Sequence, residues 1–562
     1  MVARLTAALL MVAAAAQVST VHADALPDPA GGSPEMLQTS PLGQNLEDVQ
    51  DWSTSYNFVD VMKQSRSWIT QNAASNIFDT EDAACLDLDE RGYVRSLTPQ
   101  TDRPGCTSPN YDSVATLFFF GEWKGHYPAG RYQVTYNGRG KLSYFFAARK
   151  ANSLPNRDEV DVDPSLGGWM MRIEEIDPTD PIRDIHVYMP GYGISGETEF
   201  HPDFLKQLRN VKIVRFMDWM KTNNSTQKEF ADRPKLDDVR WTERGVPLEQ
   251  MLRLASREML SPWFNMPHEA SDDYVRQFAT MVQRDLRGPQ KVYVEYSNEV
   301  WNGQFRQGQY VEDRGTAEYG ASQGTAFDRR LNWYGQRSAQ ICDIWKQVFA
   351  SEPNRVVCVL GAQAANDYTQ TQAADCPMWT SGKPCSAHGM KAVAIAPYFG
   401  GYLGKPGNAA IVKDWSLDTL FAEINNGGQL PNGPRGGALA QAKSWIGPHR
   451  VAANARGLQL IAYEGGQHLV GFNGAENIPA LTALFTSANR DPRMEQAYGR
   501  YLQNWRDKGG QTFIHFNASG QYSKYGSWGT VEYLDEVFLS PKAMALQNFA
   551  LDGCWWTGCS DW

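Results

Sequence analysis

The chain has 562 residues, with 53 Lys and Arg against 63 Asp and Glu, and its formal net charge is −10. Hydrophobic residues make up 42% and charged residues 21%, a globular composition that excludes wholesale disorder. The acidic balance argues against a surface that grips nucleic acid, because phosphate binding needs a basic face. We therefore expect no nucleic-acid partner.

Residues 1–25 have the pattern of an export signal. Arg4 supplies a positive start, residues 5–16 are apolar, and small residues follow at Ala23 and Ala25. The apolar run is too short to span a bilayer, which takes roughly 20 residues. We expect a secreted protein without a membrane span, cleaved near Asp24 or Leu26. An N-terminal membrane anchor is the alternative.

The sequence pattern changes twice over the next segments. Residues 26–43 begin with several Pro and Gly residues and are predicted to be a linker. Residues 44–83 carry a helical apolar pattern over 45–71. From 84 to 183, short aromatic and β-branched runs alternate with turns, including a hairpin signal at residues 136–138. We interpret 84–183 as a β-sandwich accessory domain.

From residue 184 to 552 the pattern strand, loop, helix repeats. The predicted strands are 185–189, 212–216, 263–266, 291–296, 355–360, 392–396, 458–463 and 512–516. Eight such units predict an α/β fold, a (β/α)8 TIM barrel with an N-terminal or inserted β-sandwich, and 44–83 is expected to associate with it. One alternative stays open. Residues 42–46 could be the first barrel strand, with the sandwich inserted before the second.

The cysteines suit an oxidising compartment, where disulfides persist. Their spacing favours three short loop staples, which are Cys85–Cys106, Cys376–Cys385 and Cys554–Cys559. The last of these would close a C-terminal tail at 553–562. Cys342 and Cys358 flank a helix-to-strand connection and are either bonded or buried free thiols. No C-x-x-C or H-E-x-x-H motif is present, so we expect no metal and no organic cofactor.

Two motifs match the sequence patterns of other enzyme classes, but the residues around them do not provide the surroundings that those patterns need. Residues 191–196 fit the dinucleotide pattern G-x-G-x-x-G, but Glu197 and Glu199 would repel a pyrophosphate. Residues 320–324 fit the serine-hydrolase elbow, which needs a preceding buried strand. The preceding residues, 311–319, are predicted to be a polar loop. These patterns therefore do not favour an NAD-dependent oxidoreductase or a serine hydrolase.

Two predicted strands end in carboxylates. The fourth is followed by Asn298 and Glu299, and the seventh by Glu464. In a barrel the C-terminal ends of the strands form the catalytic face. Hydrolysis of a glycosidic bond needs two carboxyl groups, one to protonate the leaving oxygen and one to act at the anomeric carbon. The alternative is that each Glu caps a helix or pairs with an arginine. Glu295 is interpreted as a supporting carboxylate in the barrel.

With these motifs, the chain from about residue 185 resembles a clan A glycoside hydrolase, the superfamily that includes family 5 cellulases and mannanases. The resemblance implies that Glu299 is the general acid/base, with Asn298 beside it, and that Glu464 is the nucleophile. Two departures from the family 5 motifs limit the resemblance to the level of the clan. Val300 stands where the family has Pro, and Ala396 stands where the family has the His of a His-x-Tyr motif.

The resemblance also implies substrate-site roles for Arg215, His268, Tyr398 and, in kind, Trp528. Arg215 beside the nucleophile is expected to lower its pKa. Asn298 is expected to hydrogen-bond a sugar 2-hydroxyl, and Tyr398 to hold the nucleophile's second oxygen.

Several other side chains follow predicted strand ends. The candidate stacking platforms are Trp219, Trp301 and Trp528, for each of which core packing is the alternative. Asp218 and Glu269 would bind sugar hydroxyls or form salt bridges.

The sequence therefore predicts a secreted retaining glycoside hydrolase that cleaves β-linked glycosidic bonds in a cellulose-like β-glucan or a related polysaccharide. Its partner would be the polysaccharide or oligosaccharide substrate, and the protein would be a monomer. The alternative is a non-catalytic carbohydrate-binding or surface protein on a glycosidase-like barrel, against which the presence of both glutamates counts.

Overall fold

A computed structural model describes residues 40–193, 198–536 and 539–561. The expected export signal, most of the expected linker and part of the glycine motif at 191–196 lie outside these residues. In the described ranges the strands are β1 (Leu42–Asn45), β2 (Ile69–Gln71), β3 (Asp87–Leu88), β4 (Val94–Ser96), β5 (Ser113–Phe118), β6 (Gly130–Asn137), β7 (Gly140–Phe146), β8 (Ala148–Leu154), β9 (Arg157–Val162), β10 (Trp169–Ile176), β11 (Arg183–Tyr188), β12 (Ile213–Arg215), β13 (Ser261–Met266), β14 (Val292–Tyr296), β15 (Val356–Gly361), β16 (Met390–Ile395), β17 (Gln459–Ala462) and β18 (Phe513–His515).

The α-helices of the same ranges lie mostly between the later strands. They are α1 (Pro202–Gln207), α2 (Leu248–Arg257), α3 (Asp272–Asp285), α4 (Arg306–Tyr319), α5 (Ala326–Val348), α6 (Tyr368–Asp375), α7 (Pro406–Val412), α8 (Leu417–Asn426), α9 (Gly437–Asn454), α10 (Pro479–Arg490), α11 (Arg493–Asp507) and α12 (Pro541–Ala550).

A closed barrel of parallel strands forms the centre of the molecule, in the order β1-β12-β13-β14-β15-β16-β17-β18. The barrel closes where β1 pairs in parallel with β18, with Gly43 opposite Ile514. Gly43 has to be a glycine, because a Cβ there would lie 2.7 Å from the carbonyl oxygen of Ile213 on the neighbouring strand. The predicted (β/α)8 fold class is confirmed.

The first barrel strand is β1, so the alternative assignment is the correct one and the assignment to 185–189 was wrong. That segment belongs to β11, which pairs antiparallel with β6 in a separate sheet, so the predicted boundary at 183/184 falls inside the accessory domain. The sequence favoured the wrong segment because β1 is short and half polar. β1 is only Leu-Gly-Gln-Asn, and it is a strand because β12 and β18 flank it.

The accessory domain is inserted between β1 and β12. Its main sheets are antiparallel and have the orders β2-β5-β10-β7 and β11-β6-β9-β8. Tyr132 of the second sheet and Trp169 of the first meet in the shared core, with ring centroids 5.8 Å apart. The expected hairpin at 136–138 was wrong, because β6 and β7 lie in different sheets and the chain crosses between them at Gly138.

The connection from β1 to β2 is not the helix that the apolar pattern over 45–71 suggested. It contains only a 3-10 turn at Val61–Gln64, and Phe58 and Met62 are buried. Conversely, the segment 311–319, which was expected to be a polar loop, belongs to α4. Since that helix contributes few apolar residues, its sequence lacks the periodicity that identifies a buried helix face. Residues 320–324 thus follow a helix, which is the wrong context for a hydrolase elbow.

Asp51, in the loop after β1, joins the accessory domain to the barrel. Its carboxylate accepts two hydrogen bonds from the guanidinium of Arg66, at 2.7 and 3.1 Å. Its carbonyl oxygen accepts from the backbone N–H of Phe120 and from the indole N–H of Trp123, each at 3.1 Å. On the other side, the Tyr533 hydroxyl donates to the Glu122 carbonyl at 2.8 Å. The domain is therefore fastened to the barrel through both backbone and side chains.

All eight cysteines are paired. The three predicted staples are confirmed, and the fourth bond, Cys342–Cys358, ties α5 to β15. Four disulfides are typical of a protein that matures in an oxidising compartment. None of the helices in the described ranges is both long and apolar enough for a membrane crossing.

Candidate active site

Glu299 and Glu464 lie at the same end of the barrel. Glu299 follows β14, whose five residues are all buried, and the chain turns sharply there, since Ser297 and Glu299 have φ angles of 57° and 42°. Glu464 is the second residue after β17. Because the strands are parallel, both carboxylates lie at the C-terminal mouth of the barrel, the face that carries the chemistry in barrels of this kind.

Both oxygens of Glu464 are held by hydrogen bonds. Nη1 of Arg215 donates to Oε1 at 2.8 Å, and the hydroxyl group of Tyr398 donates to Oε2 at 3.0 Å. The glutamate is 6% exposed. The sequence-based expectation that Arg215 and Tyr398 adjoin Glu464 agrees with this geometry.

Arg215 is the centre of a buried polar network. Its Nε and Nη2 atoms donate to Oε2 of Glu295 at 3.1 and 2.9 Å, and Nη2 also donates to Oδ1 of Asn298 at 2.9 Å. The same Glu295 oxygen accepts from the Trp263 indole at 2.9 Å. Glu295 is therefore a supporting carboxylate in the barrel interior, as interpreted from its position four residues before Glu299.

The pKa of Glu464 departs from the expectation. Burial raises this pKa to about 8, and the charge of Glu299 raises it as well, while Arg215 and the Tyr398 hydrogen bond lower it. We expected Arg215 to hold the pKa low. Arg215 does lower it, but the desolvation of the buried carboxylate outweighs the charge of the guanidinium, which Glu464 shares with Glu295.

Glu299 faces an open cleft of about 620 Å³. Its Oε1 accepts a hydrogen bond from the Tyr463 hydroxyl at 2.7 Å, and the Asn302 amide donates to Oε2 at 3.3 Å. The sequence reasoning missed Tyr463. It directly precedes Glu464, and strand alternation would direct the two side chains oppositely. β17 ends at Ala462, however, so alternation no longer holds there.

The cleft is lined on several sides by aromatic side chains from the loops after β14, β16 and β17 and from α9. They are Trp301, Tyr398, Tyr402, Trp445, Tyr463 and Phe472. Trp301 was predicted to lie in such a place. Trp445 and Phe472 were not, since one lies inside a helix and the other far along a loop, with no local signal to mark them.

One of the three predicted stacking tryptophans differs from expectation. Trp219 is fully buried against Phe58 and Phe204 and is a core residue, so its assignment as a platform was wrong. Trp528 is half-buried, and its ring lies 5.8 Å from that of Tyr398. It therefore adjoins the group that holds Glu464.

His268 does not reach the cleft. It is 1% exposed, and within the described ranges neither ring nitrogen has a hydrogen-bond partner. Burial lowers its pKa to about 4, so it is neutral. Its neighbour Glu269 forms ion pairs with Lys228 at 2.6 Å and Arg306 at 3.0 Å, so the salt-bridge alternative describes Glu269.

Both polar atoms of the Asn298 side-chain amide form hydrogen bonds. Its Oδ1 accepts from Arg215, and its Nδ2 donates to Oδ1 of Asn223 at 3.1 Å. Nδ2 carries two N–H groups, so one is left to donate to a sugar 2-hydroxyl while the other holds Asn223. Asp218 lies half-buried at the mouth beside Arg215 and Asp48, and burial raises its pKa to about 7. In the described part of the chain, no group of three or more His, Cys, Asp or Glu side chains is arranged to hold a metal ion.

Sequence comparison finds no matching family model and no matching curated protein. Among solved structures, the chain is similar to a GH51 arabinofuranosidase from Xanthomonas axonopodis pv. citri, with a TM-score of 0.35 and 12% identity over 64% of this chain and 68% of that one. It is similar to a 4-O-alpha-L-rhamnosyl-beta-D-glucuronidase from Fusarium oxysporum 12S, with a TM-score of 0.36 and 11% identity over 62% of this chain and 65% of that one.

A third similar structure is a GH5 xyloglucan-specific beta-1,4-glucanase from a ruminal metagenomic library, with a TM-score of 0.37 and 10% identity over 63% of this chain and 87% of that one. TM-scores this low carry no argument about activity. What the molecule itself establishes is a (β/α)8 barrel with an inserted β-domain, in which a buried glutamate and a cleft-facing glutamate meet at the C-terminal mouth.

Proposed function

We propose that this protein is an exported, retaining glycoside hydrolase of the clan A type that cleaves β-linked bonds in a polysaccharide. The observation that carries the proposal is the difference between the two strand-end glutamates. Glu464 is buried with both oxygens held, as a nucleophile requires. Glu299 faces an open cleft, as a proton donor to a leaving group requires.

In the first step, a carboxylate oxygen of Glu464 bonds to the anomeric carbon while the bond to the leaving oxygen breaks. Glu299 gives its proton to that oxygen. In the second step, Glu299 takes a proton from water, the water oxygen bonds to the anomeric carbon, and Glu464 leaves as a carboxylate. Arg215 and Tyr398 stabilise that carboxylate at the start and the end of the cycle.

The stereochemical outcome depends on the separation of the two carboxyl groups. We expect about 5–5.5 Å, the retaining distance, rather than the 6.5–9.5 Å of an inverting pair. Support comes from Tyr463, which adjoins Glu464 in the chain and hydrogen-bonds Glu299 at 2.7 Å. NMR of the first product would show retained anomeric configuration. Inverted product would contradict the assignment.

The cleft would bind the sugars of the leaving group, because it lies against Glu299, the residue that protonates the leaving oxygen. Trp301, Trp445 and Phe472 offer ring faces to the apolar faces of sugar rings. Such contacts would hold sugar rings through their apolar faces, with Lys405 as a charged residue in the same lining.

The decisive experiment is activity on a panel of β-linked polysaccharides, with product sizes read by chromatography. Glu464→Ala should abolish turnover on every substrate, because no other group forms the covalent intermediate. Glu299→Ala should keep the first step on substrates with an activated leaving group, and added azide should restore turnover and give a glycosyl azide of retained configuration.

A matched control is Glu90→Ala, which removes an exposed carboxylate in the accessory domain and should leave activity unchanged. If both active-site variants keep wild-type rates, the catalytic assignment is wrong. If the wild-type protein binds a polysaccharide but turns over none, the alternative of a non-catalytic carbohydrate-binding protein is correct.

A further inference from the structure

A second part of the barrel mouth is acidic and lies away from the aromatic cleft. Glu47 and Asp48 follow β1, and Asp218 follows β12. These strands and β18 are consecutive in the barrel, whereas the cleft is built on the ends of β14 to β17. The charge of Asp218 acts on Glu464, so the acidic face adjoins the proposed nucleophile.

The cations nearby do not balance these carboxylates. Lys221 is engaged by Asp48 at 2.6 Å. Arg215 is engaged by Glu295 and Glu464, as described above. Glu47 accepts a hydrogen bond from the Ser519 hydroxyl at 3.2 Å, and among the described residues Asp218 has no ion pair. Two carboxylates therefore remain without a cation in a half-buried place.

Asn517 points to a ligand independently of the carboxylates. It follows β18 and is 6% exposed, yet its Oδ1 has no hydrogen-bond partner among the residues that the structure describes. The position of a Cβ on Gly520 would lie 3.6 Å from that oxygen and 3.4 Å from Oε1 of Glu47. The unpartnered amide oxygen and the Glu47 carboxylate thus border the same space, which Gly520 leaves open.

The space connects to Glu464 through an aromatic side chain. The backbone N–H of Asn517 donates to the carbonyl of Trp528 at 3.1 Å, and the Trp528 ring lies 5.8 Å from Tyr398, which holds Glu464. Trp528 therefore adjoins Asn517 through the backbone and Tyr398 through its ring. Because the cleft lies against Glu299, the residue proposed to protonate the leaving group, we assign the opposite side of Glu464 to the glycone.

We propose that this face, made of Glu47, Asp218, Asn517 and Trp528, binds a glycone that carries a positive charge, an amino sugar of the glucosamine class. The proposal rests on the proposed function. Each of the polar groups offers acceptor oxygens, and an ammonium group supplies three donors and a compensating charge. A neutral hydroxyl supplies one donor and leaves the like charges uncompensated.

The titration of the carboxyl groups is consistent with such a ligand. Burial, together with neighbouring carboxylates, raises the pKa of Asp218 to about 7 and that of Glu47 well above its ordinary value. Below pH 7, Asp218 holds a proton in most of the molecules. An arriving ammonium favours the ionised form, so binding should release protons, and a neutral sugar should not cause this release.

The test uses the full chain with Glu299→Gln, which stops turnover without changing the acidic face. Calorimetry at pH 6 compares β-linked tetramers of glucosamine, N-acetylglucosamine and glucose, in buffers of different ionisation enthalpy. The glucosamine tetramer should bind at least tenfold more tightly than the other two, with proton release, and this preference should weaken with added salt. Asp218→Asn and Glu47→Gln in the same background should remove the preference.

Asp273→Asn, on the exposed N-terminal turn of α3, is the matched control and should keep the preference. If the carboxylate variants do not fold, Gly520→Ser tests the same space, since its side chain would reach Glu47 and Asn517 at ordinary contact distance and should weaken glucosamine binding.

Equal or tighter binding of the glucose tetramer, or a glucosamine preference that survives both carboxylate variants, overturns the inference. Hydrolysis of neutral polysaccharide by the wild-type protein would then leave the proposed function standing. Absence of binding to all three tetramers, together with absence of hydrolysis, overturns both.

Discussion

The hydroxyl group of Tyr463 donates a hydrogen bond to Oε1 of Glu299 at 2.7 Å, although the two residues are 164 positions apart in the chain. The ring of the same tyrosine lies 5.1 Å from the guanidinium of Arg215, the group that holds Glu464. Tyr463 thus connects the proposed acid/base to the proposed nucleophile. Tyr463 holds Oε1 closely, whereas Oε2 accepts only the longer 3.3 Å hydrogen bond from Asn302, so we assign to Oε2 the exchange of a proton with the substrate.

Removal of this hydroxyl should disturb proton transfer rather than substrate binding. Tyr463→Phe should lower kcat about ten- to hundredfold, the cost of a hydrogen bond to a charged group, with little change in KM. The loss should be larger for aryl glycosides with poor leaving groups than for activated ones. Tyr274→Phe, which removes a buried hydroxyl bonded to Gln227, is the control. A Tyr463→Phe loss that is the same for all leaving groups would contradict this role.

The pH dependence should follow the ionisation of Glu464. A nucleophile has to be deprotonated, and its raised pKa of about 8 means that the ionised fraction grows as pH rises through that value. We therefore expect the acid limb of kcat/KM near pH 8, far above the ordinary range of a glutamate. Tyr398→Phe removes a hydrogen bond to the carboxylate and should move this limb to still higher pH. An acid limb near pH 4.5 in the wild-type protein would contradict the assignment.

The buried pair of Arg215 and Glu295 should make the site sensitive to loss of one partner. Arg215→Ala leaves Glu295 and Glu464 buried without their cation and should lower the free energy of unfolding by about 3–5 kcal/mol. The double variant Arg215→Met with Glu295→Gln removes both charges and should recover part of that loss. Urea unfolding measures each value. A double variant less stable than Arg215→Ala would argue against this account.

The disulfide Cys342–Cys358 should contribute more stability than the terminal one. It closes a loop of 16 residues and ties α5 to a barrel strand, whereas Cys554–Cys559 closes a loop of 5. The chain-entropy model gives about 3 kcal/mol for the first and about 2 kcal/mol for the second. Replacement of each pair by alanine, followed by denaturant unfolding, compares them. An equal or reversed order of the two stability losses would show that strain, not loop length, determines how much each disulfide stabilises the fold.

The two tryptophans that follow the ends of β12 and β14 should respond differently to substitution. Trp219→Ala should lower the free energy of unfolding by about 3–5 kcal/mol, because it leaves a cavity in the core. Trp219→Phe should keep substrate affinity. Trp301→Ala should raise KM for oligosaccharides about tenfold, the equivalent of about 1.4 kcal/mol, and should also lower stability, because the side chain is only 9% exposed and packs on Tyr334 and Tyr463. Thermal unfolding and steady-state kinetics distinguish the two outcomes.

Much of the barrel could be predicted because its signals are local. The strand β15 is a continuous apolar run, and β14 is apolar or aromatic except for Glu295, as is typical of parallel strands buried on both faces. A carboxylate that follows such a run must lie at the barrel mouth, so Glu299 and Glu464 were found without a structure. β1 was uncertain for the opposite reason. Its four residues carry a single large apolar side chain, and only pairing with distant strands makes it part of the barrel.

The residue types and their periodicity determined the fold class, the three short disulfides and the two glutamates. Only the tertiary structure decided which tryptophan is core, that Arg215 is shared between Glu295 and Glu464, and that Tyr463 bonds Glu299. The physical reason is that the period of a strand ends where the strand ends. Beyond β17 or β18, the direction of a side chain is set by packing against loops hundreds of residues away, and no local pattern encodes that packing.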